Sequence, residues 1–93
     1  MKTYLITHCI DEADFEAAFI KKLKELDNWV LCMPNTYLLN SDMTSKQIRD
    51  YLISSCSRTS MFLVAEVTSH LHGLLLPARW DDLEHILGVT TDD

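Results

Sequence analysis

The amino-acid sequence predicts an α+β domain built on an antiparallel sheet. Two segments repeat apolar residues at helical spacing, and four others are apolar or alternating over strand lengths. Their order along the chain is strand, helix, strand, strand, helix, strand. With only two glycines and two prolines in 93 residues, the few breaks between these segments are informative.

Lys2 to Cys9 reads as the first strand, with Tyr4, Ile6 and His8 facing one side and Thr3, Leu5 and Thr7 the other. Asp11 is the expected N-cap of the first helix. Its carboxylate can accept from first-turn N–H groups, Glu12, Asp14 and Glu16 suit the positive end, and Lys21, Lys22 and Lys24 suit the other. Phe15, Phe19, Leu23 and Leu26 then form one buried stripe from about residue 12 to 26.

"NWVLCM" and "TYLLN" follow, with Pro34-Asn35 between them. Aromatic and branched residues favour strands and the Pro-Asn break favours a reversal, so the pair reads as a hairpin. "TSKQ", residues 44 to 47, is a capping box that opens a second helix with Ile48, Tyr51 and Leu52 inward. "SMFLVAEV", residues 60 to 67, is apolar on both faces except at Glu66 and is expected to lie centrally in the sheet, covered on part of both faces. Glu66 itself reads as an edge-facing or helix-capping group in preference to a carboxylate on the sheet surface. Pro77 can occupy the first turn of a short last helix with Trp80, Leu83 and Leu87 inward.

This is the split βαβ, or ferredoxin-like, order, with two helices on one face of the sheet. Residues 1–93 are read as one domain, with 1–68 as the βαββαβ core and 69–93 as a C-terminal extension. A chain of this length buries only about 60 to 70% of its unfolded surface, so association with a second copy would add stability.

Composition narrows the function. Apolar residues are 47% and charged residues 24%, an ordinary globular balance. No run reaches the roughly 18 to 20 apolar residues of a membrane span, and the N-terminus lacks the layout of a signal peptide, so a cytoplasmic protein is expected. Eight basic against fourteen acidic residues give a net charge of −6, which opposes binding to nucleic acid. Cys9, Cys32 and Cys56 are an odd number without CxxC spacing and are read as buried thiols.

"MKTYLIT", "TYLLNSDMTSKQIRDYL", "MFLVAEVTSHLHGLLLP" and "PARWDDL" together resemble the small bacterial proteins labelled SinR-family. Those proteins are similar in turn to the small CRISPR-associated integration subunit and to VapD-type toxins. The resemblance covers nearly the whole chain and implies a ferredoxin-like fold and a homodimer. In that superfamily the first strand commonly ends Tyr-Asp-hydrophobic, and the aspartates of two protomers face a shared metal. The matching residues here are His8, Cys9 and Ile10, so a cysteine stands at the aspartate position.

That departure weakens the nuclease chemistry the resemblance would imply. Magnesium requires hard oxygen ligands, and a neutral thiol supplies none. Asp11 reaches the same region only if the strand end shifts by two residues, and the helix start claims its carboxylate. A soft-metal set of His8, Cys9, His70 and His72 is a weak candidate, since zinc accepts His and Cys together but no second compact ligand pair is present. A Cys9 nucleophile with His8 as its base is opposed by geometry, because adjacent strand residues point to opposite faces. No Gly-rich phosphate loop or GxSxG motif occurs.

The sequence therefore reads as a non-enzymatic interaction module, a homodimer with a degenerate nuclease-superfamily site, no cofactor, no membrane and possible engagement of another protein. Leu74, Leu75, Leu76 and Trp80 are the expected interface residues. Two alternatives stand beside it. One is a magnesium- or manganese-dependent ribonuclease or deoxyribonuclease using Asp11 and His8. The other is an acidic inhibitor or nucleic-acid mimic presenting Asp81, Asp82, Glu84, Asp92 and Asp93.

Overall fold

The computed structural model describes residues 1–26 and 28–67. In chain order these form β1 (Lys2–Cys9), α1 (Ala13–Lys24), β2 (Trp29–Met33), β3 (Thr36–Ser41), α2 (Ser45–Ile53) and β4 (Met61–Val67). The element order is βαββαβ, as the apolar pattern predicts. The four strands make one sheet in the order β2-β3-β1-β4, with every neighbouring pair antiparallel.

The alternation along β1 decides where the core sits. Tyr4, Ile6 and His8 are buried on one side of the sheet. Phe19 and Leu23 of α1, Ile48 and Leu52 of α2, and Tyr37 and Leu39 of β3 join Tyr4, Ile6 and Ile10 in one cluster, so both helices pack against that same face. Period-3.6 stripes on two helices thus meet the period-2 stripe of the central strands. The Tyr4 hydroxyl finds its partner at the edge of this layer, donating to the Met43 carbonyl at 2.6 Å.

Local chemistry sets the connections. Asn35 takes φ 64°, a left-handed conformation that asparagine tolerates better than most residues, and so closes the β2–β3 hairpin directly after Pro34. Thr44 caps α2 as expected: its hydroxyl accepts from the Gln47 backbone at 3.1 Å, while the Gln47 side chain accepts from the Thr44 backbone at 2.8 Å. The two helices are tied where α1 ends. Lys22 Nζ donates to Ser54 Oγ at 2.6 Å and lies over the Tyr51 ring, whose hydroxyl donates to the Lys22 carbonyl.

Three expectations need correction. β4 is an outer strand of the described sheet, not a central one, exposed at Met61, Leu63 and Glu66 and half-buried at its other residues. The strand shielded on both faces is β3, with Tyr37 and Leu39 buried toward the helices and Thr36 and Leu38 buried on the other side. Continuous apolarity in β4 has a different outcome: Met61 is 63% and Leu63 59% exposed. Second, the N-cap of α1 is Glu12, one residue after Asp11, and its side chain makes no cap bond. The Glu12 carboxylate instead accepts from Ser57 Oγ at 2.8 Å and Thr59 Oγ1 at 3.2 Å, hydroxyls brought from the α2–β4 connection. Third, only Cys32 is a buried thiol, Cys56 being half-buried and Cys9 exposed.

The expected last helix after Pro77, with Leu83 and Leu87, lies outside the described residues, as does the extension from residue 69 onward.

Candidate functional site: the end of the first strand and the β4 edge

β1 carries the candidate residues to the end of the sheet where it meets the hairpin turn. The His8 backbone N–H donates to the Asn35 carbonyl at 3.0 Å, which fixes the strand end against β3. From there the alternation separates neighbours. His8 points into the helix layer, Cys9 points to the opposite face and is paired in register with Met61, and Ile10 returns inward and is buried.

His8 is fully enclosed, its side chain 0% exposed. Its ring centroid lies 4.9 Å from that of Phe19 and 6.4 Å from that of Tyr37, the latter in a stacked arrangement. Nε2 lies 3.4 Å from Glu16 Oε2, near enough for an electrostatic contact but not aligned as a hydrogen bond, and neither ring nitrogen has a hydrogen-bond partner. Burial, reinforced by the Glu16 carboxylate, pushes the Tyr37 phenol above its usual pKa, so it stays protonated and neutral around neutral pH.

This environment was not legible in the sequence. Glu16 was expected only to complement the helix dipole, whereas it lies beside an imidazole. The phase of α1 places it three residues before Phe19, on the turn that covers His8.

The two residues of the nuclease alternative differ in their access to solvent. Asp11 is exposed, and His8 is walled in by Phe19 and Tyr37. Magnesium and manganese take oxygen ligands, whereas Cys9 presents sulfur to solvent on the opposite face from His8. Among the described residues, no three His, Cys, Asp or Glu side chains are grouped so as to hold a metal ion. His70 and His72 of the soft-metal candidate, and Leu74, Leu75, Leu76 and Trp80 of the expected interface, lie outside the described residues.

An enclosed imidazole without hydrogen bonds costs stability, since a buried polar group left unsatisfied loses about 1 to 3 kcal/mol. His8→Leu is accordingly expected to raise the thermal midpoint by about 4 °C or more, using roughly 4 to 8 °C per kcal/mol for a domain of this size. Circular dichroism melting measures this directly. A lowered midpoint would mean that the imidazole makes a contact the protein depends on.

A second feature lies on the other side of β4. Between α2 and β4 runs a groove of about 610 Å³ floored by Phe62 and Val64, walled by Ile53 and Cys56, and rimmed by Lys46 and Arg49. Both cations contact Asp50, at 3.1 and 2.9 Å. Bonding to Lys46 first, and to Arg49 as well, lowers the Asp50 carboxyl pKa, so the rim holds two positive charges and one negative around neutral pH. On the opposite face a shallower hollow of about 250 Å³ is bordered by Thr7, Cys9, Met61 and Leu63.

Glu66 lies on this same outer strand, its carboxylate 3.7 Å from Lys2 Nζ. Among the described residues no helix is long and apolar enough to cross a membrane. Comparison with family models, with curated proteins and with solved structures gives no match for this chain.

Proposed function

We propose that this chain is a non-enzymatic interaction module that works as a homodimer in the cytoplasm, on a scaffold of the ferredoxin-like type. The βαββαβ order and the β2-β3-β1-β4 sheet support the scaffold assignment. The resemblance to SinR-family proteins and their CRISPR-subunit and VapD relatives is part of the same proposal, with β1 as a strand whose metal-binding carboxylate has been replaced by Cys9.

The observation that carries the reading is the character of β4. It is a seven-residue outer strand with Met61 and Leu63 largely exposed, beside an apolar-floored groove. Exposed outer strands of this kind pair with other chains unless they are shortened, charged or bulged. The enclosure of His8 supports a structural role for the imidazole in preference to a catalytic one, since a general acid or base must come within hydrogen-bonding reach of its substrate. A net charge of −6 supports a protein partner over nucleic acid.

Light scattering from the full chain at micromolar concentrations tests the association. The expected mass is twice the 10.7 kDa of one chain. A mass of one chain would remove the homodimer from this reading.

A further inference from the structure

We infer that the surface through which two copies meet is the outer edge of β4, paired with itself about Val64. The inference rests on the homodimer proposed above and specifies its interface.

The two outer strands of the described sheet differ in how they are protected. β2 has five residues, stops at Met33 before Pro34, and loses register with β3 between Leu31 and Met33, so its edge is short and irregular. β4 pairs with β1 in unbroken register from Met61 to Val67 and carries neither proline nor lysine. Its one charge, Glu66, is directed to Lys2 of the same chain. Shortness, bulges, prolines and charges are the devices that keep edges from associating, and β4 lacks most of them.

The sequence of β4 is also compatible with its own antiparallel copy. Only one antiparallel register pairs all seven residues: Val64 meets Val64, Leu63 meets Ala65, Phe62 meets Glu66, and Met61 meets Val67. Large side chains then oppose smaller ones, and no like charges oppose each other. A shift that brought Glu66 opposite Glu66 would be repulsive. In the full register even-numbered residues face even-numbered ones, so the helices of both copies lie on the same side of a continuous eight-stranded sheet.

Charge favours the same occupant. Phe62 belongs to the floor of the groove rimmed by Lys46 and Arg49, and in this register the residue opposite Phe62 is Glu66 of the second copy. Each copy thereby brings Glu66, which lies 3.7 Å from its own Lys2 Nζ, near the other's rim, where two cations share the single Asp50 carboxylate, and the contact is made twice, as two-fold symmetry requires.

Disulfide trapping in the full chain carrying Cys9→Ser and Cys56→Ser tests this register. Paired antiparallel residues have Cα atoms about 4.5 to 5.5 Å apart, within the span of a disulfide. Val64→Cys is expected to give a covalent dimer as the main product under mild oxidation, while Met61→Cys alone gives none because its partner is Val67. A mixture of Leu63→Cys and Ala65→Cys chains should also cross-link, and serves if Val64→Cys lowers the melting temperature. Two results overturn the inference. If the unmodified chain has the mass of one copy, the edge is covered by residues 68–93 or left for a different extended peptide, and the homodimer falls with it. If the chain is a dimer in which neither Val64→Cys nor the Leu63→Cys and Ala65→Cys mixture cross-links, the homodimer stands and the β4 edge is not its interface.

Discussion

Phe19→Ala is expected to cost about 3 to 5 kcal/mol, because the ring is fully enclosed and joins three elements. From α1 it meets His8 of β1, with centroids 4.9 Å apart, and Phe62 of β4, at 5.2 Å. A domain of this size holds only roughly 5 to 15 kcal/mol in all, so the loss takes a large share of its stability. The thermal midpoint should fall by about 12 °C or more. Phe15→Ala, at a half-buried position on the same stripe, is the internal comparison and should fall by distinctly less. Equal effects in a melting experiment would mean that the core is not centred on the His8–Phe19–Phe62 column.

The second large effect is on association. Leu63→Lys combined with Ala65→Lys places two cations opposite two cations in the proposed self-pairing of β4. Both positions lie on the face away from the helices, and Leu63 is already 59% exposed, so the fold should tolerate the change. Like charges set directly against each other across an interface cost several kcal/mol, which weakens a dimer at least a hundredfold at about 1.4 kcal/mol per tenfold. Sedimentation should show one copy where the unmodified chain shows two. Mixing this variant with Leu63→Glu, Ala65→Glu chains should restore a mixed dimer. Loss without rescue would point to damage within each chain and not to repulsion between them.

Local chemistry was the most legible part of the fold. The capping box at Thr44 and Gln47, the reversal at Pro34-Asn35 and the Phe19 and Leu23 stripe each depend on residues a few positions apart, and each appears where its spacing put it. The alternation of β1 likewise fixed that His8 shares a side with Tyr4 and Ile6. What it leaves undetermined is how deeply each residue is enclosed, because burial of His8 depends on Phe19, Glu16 and Tyr37 arriving from α1 and β3. The Asp11 cap failed for a similar reason. Glu12 and not Asp11 ends up at the cap, its carboxylate bonded to Ser57 and Thr59, 45 and 47 residues away, and no local pattern encodes that contact.

β4 misled in a more instructive way. An unbroken apolar run signals that both faces avoid water, and a central strand is the usual means of achieving this. In the described sheet the run lies at the edge, leaving Met61 and Leu63 exposed and a groove beside Phe62. The same pattern serves an interface as well as a core, and a single sequence does not distinguish the two. Cys9 was misplaced because its position at the strand end, on the face away from the helices, leaves it beside Met61 without cover.

The central claim of the proposed function is that the end of β1 is structural and that the protein acts by binding. An assay of the purified full chain on single- and double-stranded RNA and DNA, with magnesium or manganese, tests it most directly. The account predicts no turnover above background, and no difference between the unmodified chain and Asp11→Asn. Cleavage that needs the metal and disappears in Asp11→Asn would contradict it and make Asp11 a catalytic residue.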